Sequence, residues 1–303
     1  MRGLAEYIMR GRKEATLAVA IAAAIPLLFW LSAAAAALIV LRRGLAEALP
    51  IIAWGLLPPV VWAVVRALTP LLVVMGSVGL AVVLRQSNDW VRVLLLAVPL
   101  GVVYALALLT ALNEPLQQLA VSFREMLPEL LAQMGMQLDE ADSALLLSRL
   151  DELLIPVLGG VLGATHTLMA LVSLMIARYW QAGLYNPGGF RQEFHQLRLS
   201  PLASIGLLVL VLLPPQWPSL ALLSPVATVP LLLAGLALVH GVVGAKSLSK
   251  GWLIGTYVLL VLFIRFAYPL IMFLAFVDSL FDFRSRMRRP LPPRDDDDPN
   301  CQG

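Results

Sequence analysis

A chain of 303 residues with 60% hydrophobic and only 14% charged side chains holds more apolar surface than a core of that size can enclose, since soluble domains carry about 25% charged residues. Lipid must therefore act as solvent for much of it, which excludes an ordinary soluble domain. The net charge of +3 divides into a basic head, an acidic middle and a basic-then-acidic tail, a pattern that reads as membrane topology and implies no nucleic-acid partner.

The head, residues 1–14, carries Arg2, Arg10, Arg12 and Lys13 and leads into an apolar run from Ala15 to Leu41. A signal peptide also begins with positive charge, but its apolar core spans about 7–15 residues. This run continues for 27 residues to Arg42 and Arg43, so a retained membrane segment is the better reading. Pro26 removes a backbone donor inside it, predicting either one tilted helix or two short ones. Further apolar runs at Leu45 to Leu68, Leu71 to Leu84 and Val91 to Leu112 complete a first membrane half, residues 15–112. Leu71 to Leu84, at 14 residues, is short for a pass of about 20.

Residues 113–155 are a different text, with eight acidic residues against Arg124 and Arg149. Leu116, Leu119, Phe123, Met126, Leu130 and Met134 recur at spacings of three and four, predicting an amphipathic helix. Asp142 or Ser143 is placed to cap a second helix running toward Pro156. The segment reads as a lid or partner-binding element, or as a plain connector at the interface; it lacks the cations of a binder of anionic lipid.

The second membrane half, residues 156–280, contains apolar runs at Pro156 to Ala177, Leu202 to Leu213, Val226 to Ala245 and Trp252 to Val277. PPQWP, Pro214 to Pro218, marks a rigid turn. Within this half, residues 178–200 form a polar, aromatic and basic passage. Arg178, Tyr179 and Trp180 read as an interfacial anchor, NPGG as a turn, and Phe190, Phe194 and Leu197 as the apolar side of a short surface helix. Asn186, Gly188, Gly189, Phe190 and Arg191 are its candidate docking residues for a membrane or cytoplasmic protein. The tail, residues 281–303, has five arginines before four aspartates and is expected to be disordered.

The expected fold is thus an all-α transmembrane bundle with about eight apolar segments. The positive-inside rule places the head, Arg42 and Arg43, Arg85 and Arg92, residues 178–200 and the tail in the cytoplasm, with residues 113–155 outside. Four runs lie between the head and the outer loop, where an odd number is needed. Three lie between residues 178–200 and the tail, where an even number is needed. One run in each half must therefore fail to cross once; the leading suspects are the two longest, broken at Pro26 and near Arg265 and Pro269, and short re-entrant runs at Leu71 to Leu84 or Leu202 to Leu213 are the alternatives. Discontinuous helices of this kind build the midplane sites of many transporters.

Ionisable groups inside apolar runs are costly and mark sites. His166, Arg265, Glu114 and His240 are the candidates for binding a polar or anionic solute. The structural alternative is that Arg265 snorkels from a helix end and His166 is interhelical glue. Small-residue spacings such as Gly159 to Gly163 and Gly160 to Ala164 predict close helix packing within the chain. No P-loop, HExxH or nucleophile elbow is present, and the lone Cys301 supplies no metal centre, so neither an enzyme nor a cofactor is expected. Glu193 and His195, at i and i+2, point to different helix faces and make no metal pair.

The phrases YIMRGRKEATLAVA, PLLFWLSAA, LRRG, YWQAGLYNPGGFRQEFHQLRL, AGLALVHG and DSLFDFRSR resemble the proteobacterial branch of the YybS-like membrane proteins across nearly the whole membrane region. That family is distantly similar to the substrate-binding components of energy-coupling-factor transporters, and the resemblance implies a bacterial inner-membrane protein with transporter-like solute binding. In those components alanine-spaced helix faces dock on a coupling protein, a role that Ala18 to Ala22 or Ala20 to Ala24 would take here. The alternative is a non-transporting scaffold for envelope or division machinery.

Overall fold

The computed structural model describes residues 2–133, 135 and 139–284. Met134 and nearly all of the charged tail, with Cys301, lie outside the described residues. Within them the chain forms fourteen α-helices and no strand. Six helices are long and apolar enough to cross a membrane, and up to eight spans result if two bent pairs are each counted as one. The protein is a multi-pass helical membrane protein, as its composition requires.

α1 (Arg2–Arg10) packs on α2 (Arg12–Ala24), and the first long apolar run then reverses. Ile25 is extended because the following Pro26 ring disfavours the helical region. After a single 3-10 turn, α3 (Phe29–Arg43) returns antiparallel to α2. The Ser32 hydroxyl donates to the Val19 carbonyl at 2.8 Å, and Arg43 donates to the Met9 carbonyl at 3.0 Å. The run at Pro26 is therefore a hairpin of two limbs. α3 is buried without interruption from Ser32 to Leu41 and forms the heart of the first half.

α4 (Leu45–Gly55) and α5 (Leu57–Val64) bend by 47° where Pro58 and Pro59 open the second of them. α6 (Thr69–Ser87) extends the short apolar run at both ends to 19 residues, enough for a span. α7 (Trp90–Ala111) starts at Asp89, whose carboxylate accepts from the Val91 amide at 2.8 Å. α8 (Asn113–Gln133) follows after one residue.

α9 (Glu140–Tyr185) is a single helix of 46 residues, about 69 Å long at 1.5 Å per residue. The second amphipathic helix and the next membrane run, expected to separate at Pro156, are one element. Its N-cap is Asp139, accepting from the Asp142 amide at 2.7 Å, rather than Asp142 or Ser143. α8 and the first turns of α9 make an arm beyond the bundle, held by Arg124 to Asp151 at 3.2 Å. Leu119, Phe123 and Met126 of the predicted apolar face stay exposed on this arm, while Leu116 and Leu127 are buried.

α10 (Gly189–Gln196) is turned by 68° from the helical segment that begins with α11 (Pro201–Leu212). The PPQWP motif forms two 3-10 turns. α12 (Leu223–Ala245) is buried on all sides from Val226 to Leu238. α13 (Gly251–Leu262) leaves the end of α12 and runs back along it, placing Tyr257 on His240. The chain then turns at Phe263, and α14 (Ile264–Phe281) begins beside Thr228 and ends where Arg284 meets Gly241. The break falls at Phe263; Pro269 lies inside α14, where it leaves the Arg265 carbonyl without its helical donor. The last long run is thus also an outgoing and a returning limb.

α9 touches α3, α6, α7 and α12, so it joins the two halves. Against α7 the approach is so close that a Cβ at Gly163 would strike the Gly101 carbonyl, whereas one at Gly79 on α6 would meet open space. Gly163→Val is expected to destabilise the bundle by about 1–3 kcal/mol, seen as a lower thermal midpoint in detergent, while Gly79→Ala holds or raises that midpoint. Equal midpoints for the two variants would refute the close α7–α9 contact.

Candidate functional site

The four solute candidates do not converge. His166 is 6% exposed between helices. Its Nδ1 lies 2.7 Å from the Leu162 carbonyl, an acceptor only, so Nδ1 carries a proton; the neutral ring's Nε2 then accepts from the Thr69 hydroxyl at 3.0 Å. Both nitrogens are occupied by the fold. Glu114 is on the surface near Arg66 at 3.7 Å, at the end of the bundle from which the arm projects. Arg265 is exposed on the first turn of α14 and lines a shallow groove of about 480 Å³ with Thr165, Thr228 and Tyr268. It stands at a helix start and not at mid-span.

His240 is placed differently. Near the other end of α12, its Nε2 lies 2.9 Å from the Tyr257 hydroxyl, and its ring meets Phe194 edge-on at 5.3 Å between centroids. Phe194 stacks on Phe190 at 5.9 Å, and Phe190 in turn meets Tyr179 and Trp90, each at 6.2 Å. This aromatic ladder runs from α7 across α10 to α12 and α13. It borders a cavity of about 1080 Å³ between α9, α10, α12 and α13. Gly188, Phe190 and Arg191, three of the docking candidates, line the same cavity as His240.

Sequence alone gives no reason to group them. NPGG is the expected turn: Asn186 ends α9, and Gly188, with φ of 87°, starts α10 from the left-handed region that glycine tolerates. A Cβ at Gly189 would collide with the Asn186 side chain, which explains the second glycine.

What holds α10 across the end of the bundle is Glu193. Its carboxylate takes a two-pronged ion pair from Arg178 of α9 and a 3.1 Å hydrogen bond from the Trp90 indole of α7. Arg178 also donates to Gln181 at 2.5 Å, and Gln181 donates to the Leu41 carbonyl at 3.3 Å. Arg85 reaches the same carbonyl at 2.5 Å. One polar knot thereby ties α3, α6, α7, α9 and α10. The signal available in the sequence was a lone acid among arginines. Trp180, expected as an interfacial anchor, is instead 2% exposed, facing the core from α9.

A second latch closes the same end. Asp278 of α14 pairs with Arg284 at 2.7 Å, Arg284 donates to the His195 carbonyl at 2.8 Å, and Arg198 donates to the Ser279 carbonyl at 2.9 Å. His195 and Glu193 do face different partners, as their spacing predicts. Among the described residues no cluster of acids, histidines and cysteines could hold a metal ion.

Burial alone would raise the Glu193 carboxyl, but hydrogen bonds from Arg178 and Trp90, with the Arg178 charge, hold it below its ordinary value. A depressed folded-state pKa adds stability that is complete above the unfolded value and fades as pH falls through the folded one. Glu193→Gln is therefore expected to lower the thermal midpoint at neutral pH, with the gap to the native protein narrowing below about pH 4. A gap that is constant with pH would show that the charge contributes nothing. No family model, curated protein or solved structure matches the chain, and what the site does follows from its own geometry.

Proposed function

We propose that the protein is a ligand-binding component of the bacterial inner membrane, with its basic end and both termini in the cytoplasm. The observation that carries this is the cavity of about 1080 Å³, in which His240 and the 178–200 passage come together. A concave, mostly apolar space with a few convergent polar groups is the usual form of a small-molecule site. The lining favours a ligand with a large apolar body over the small polar solute that isolated intramembrane charges imply. Binding also agrees with the YybS-like resemblance, which implies transporter-like solute binding.

Orientation is supported by charge. Arg42, Arg85, Arg178, Arg198 and Arg284 all belong to contacts at one end of the bundle, and such residues concentrate on the cytoplasmic side. In a Cys301→Ser background, Ser247→Cys is expected to react with an impermeant maleimide only after permeabilisation, and Ser143→Cys in intact spheroplasts. The reverse pattern would overturn the orientation.

Occupancy is tested by filling the cavity. Gly183 lines it, and a Cβ there meets nothing within 4 Å. Native mass spectrometry of protein released from nanodiscs is expected to show a small-molecule adduct that Gly183→Trp removes while the thermal midpoint of ligand-free protein is unchanged. An adduct equally abundant in both proteins places the ligand elsewhere.

A second reading has its own observation, the uncovered stripe of Leu119, Phe123 and Met126 on the arm. A scaffold would use such a face to engage an envelope partner. Changing all three residues to Gln separates the readings: loss of the cellular phenotype with the adduct retained favours the scaffold.

A further inference from the structure

Most of the arginines packed into the basic end of the bundle are committed within the fold. Arg178 is committed to Glu193, Arg198 to Asp282 and Arg284 to Asp278. Arg42 lies over the Tyr185 ring, while Arg43 and Arg85 donate to backbone carbonyls. The side chains of Arg191 and Lys250 line the cavity; among the described residues neither has a hydrogen bond or ion pair, and no acidic side chain lines the cavity with them. Glu193, two residues from Arg191, is turned away toward α7 and α9.

The two cations share one region. A Cβ built at Gly244, in the last turn of α12, would lie 3.7 Å from the Arg191 Nη2, and Lys250 follows six residues later as the N-cap of α13. Gly188, the N-cap of α10, is on the same lining, so the positive ends of two helices add to the same potential. Away from this rim the lining is apolar and aromatic, with Met175, Phe194, Val243 and Leu253. Ile254 and Tyr257 belong both to the lining and to the exposed surface of α13, so the cavity opens along that apolar helix.

We propose that this cavity binds an amphiphile with a phosphate monoester head, its phosphate between Arg191 and Lys250 and its hydrocarbon along the aromatic ladder toward His240. The proposal rests on the binding reading above and adds the ligand's chemical class. A phosphate monoester carries close to two negative charges at neutral pH, matching two unpaired cations, and a guanidinium can meet its oxygens with two parallel hydrogen bonds. An uncharged lipid would leave both cations unused, and a free phosphate would leave the apolar wall uncovered.

The test uses the full chain in phosphatidylcholine nanodiscs, with dodecyl phosphate, dodecanol and inorganic phosphate as probes in calorimetric titrations. Dodecyl phosphate is expected to bind saturably, more tightly than either other probe, and more weakly as salt is raised. The Arg191→Gln/Lys250→Gln double variant is expected to lose about tenfold or more in affinity for dodecyl phosphate, the scale of lost charge-assisted hydrogen bonds, with dodecanol binding unchanged. Arg191→Lys should recover part of the loss, a rescue that misfolding would not give. Adding phosphatidic acid to the disc distinguishes the sources: competition supports the proposal with a bilayer lipid as ligand, and no competition beside tight dodecyl phosphate binding supports it with a water-borne one. Equal affinity for dodecyl phosphate and dodecanol, untouched by the double variant, overturns the phosphate assignment and leaves the binding reading standing. If neither alkyl probe binds, both fall.

Discussion

Hydrocarbon offers a peptide group no hydrogen-bond partner, so a chain that enters it must carry every backbone N–H and C=O already matched. That constraint decides where this chain can turn. Its two longest apolar runs both reverse, at Ile25–Pro26 and at Phe263. At the first, a 3-10 turn keeps the chain bonded through the bend, with the Leu28 amide donating to the Ile25 carbonyl at 2.9 Å. At the second, the Phe263 amide donates back to Leu259 at 2.8 Å, and the Phe263 carbonyl accepts from Ala267 at 2.8 Å. Each long run supplies an outgoing and a returning limb, which lets the basic ends of α3, α6, α9, α12 and α14 collect on one face.

On that face, repulsion among so many cations must be offset, and the protein does it with few acids. Glu193 and Asp278 each take an arginine in a partly or fully buried pair, and backbone carbonyls at Leu41, Met9 and Ser279 take Arg85, Arg43 and Arg198. A buried pair adds little net stability, because the cost of removing both charges from water offsets their attraction. Glu193 gives α10 a directional tie to both α7 and α9, beside the packing of Phe190 on Trp90 and Tyr179. The position of α10 then sets the aromatic ladder, and the ladder sets the width of the cavity.

Much of the architecture was legible in composition and period. The apolar runs mark most of the membrane helices, the NPGG turn is where it reads, and Gly159 and Gly163 pack against Leu109, Gly101 and Ala105 of α7 within the chain. What could not be read depends on partners distant in sequence. His166 looks alike as ligand or as packing residue until Thr69, 97 positions away, is found on its free nitrogen. Trp180 beside Arg178 and Tyr179 has the composition of an interfacial anchor, yet one step around the helix turns it into the core. His240 and Arg265 both interrupt apolar text; which end of the bundle each occupies, and whether a cavity is there, follows from the turn at Phe263, which no glycine marks.

The same packing logic explains why the cavity is where it is. Between α7 and α9, glycine lets backbones touch and leaves no space. Around α12, Gly241 and Gly244 let the end of α10 come close, with the His195 carbonyl and ring against them, and the cavity lies beside that contact, walled by Phe190, Phe194 and Tyr257. α13 has no buried residue at all, in contrast to α12, which is enclosed from Val226 to Leu238. Elements with few buried contacts open at the lowest free energy. α13 is thus the most weakly held wall of the cavity, joined to α12 through the Tyr257–His240 contact.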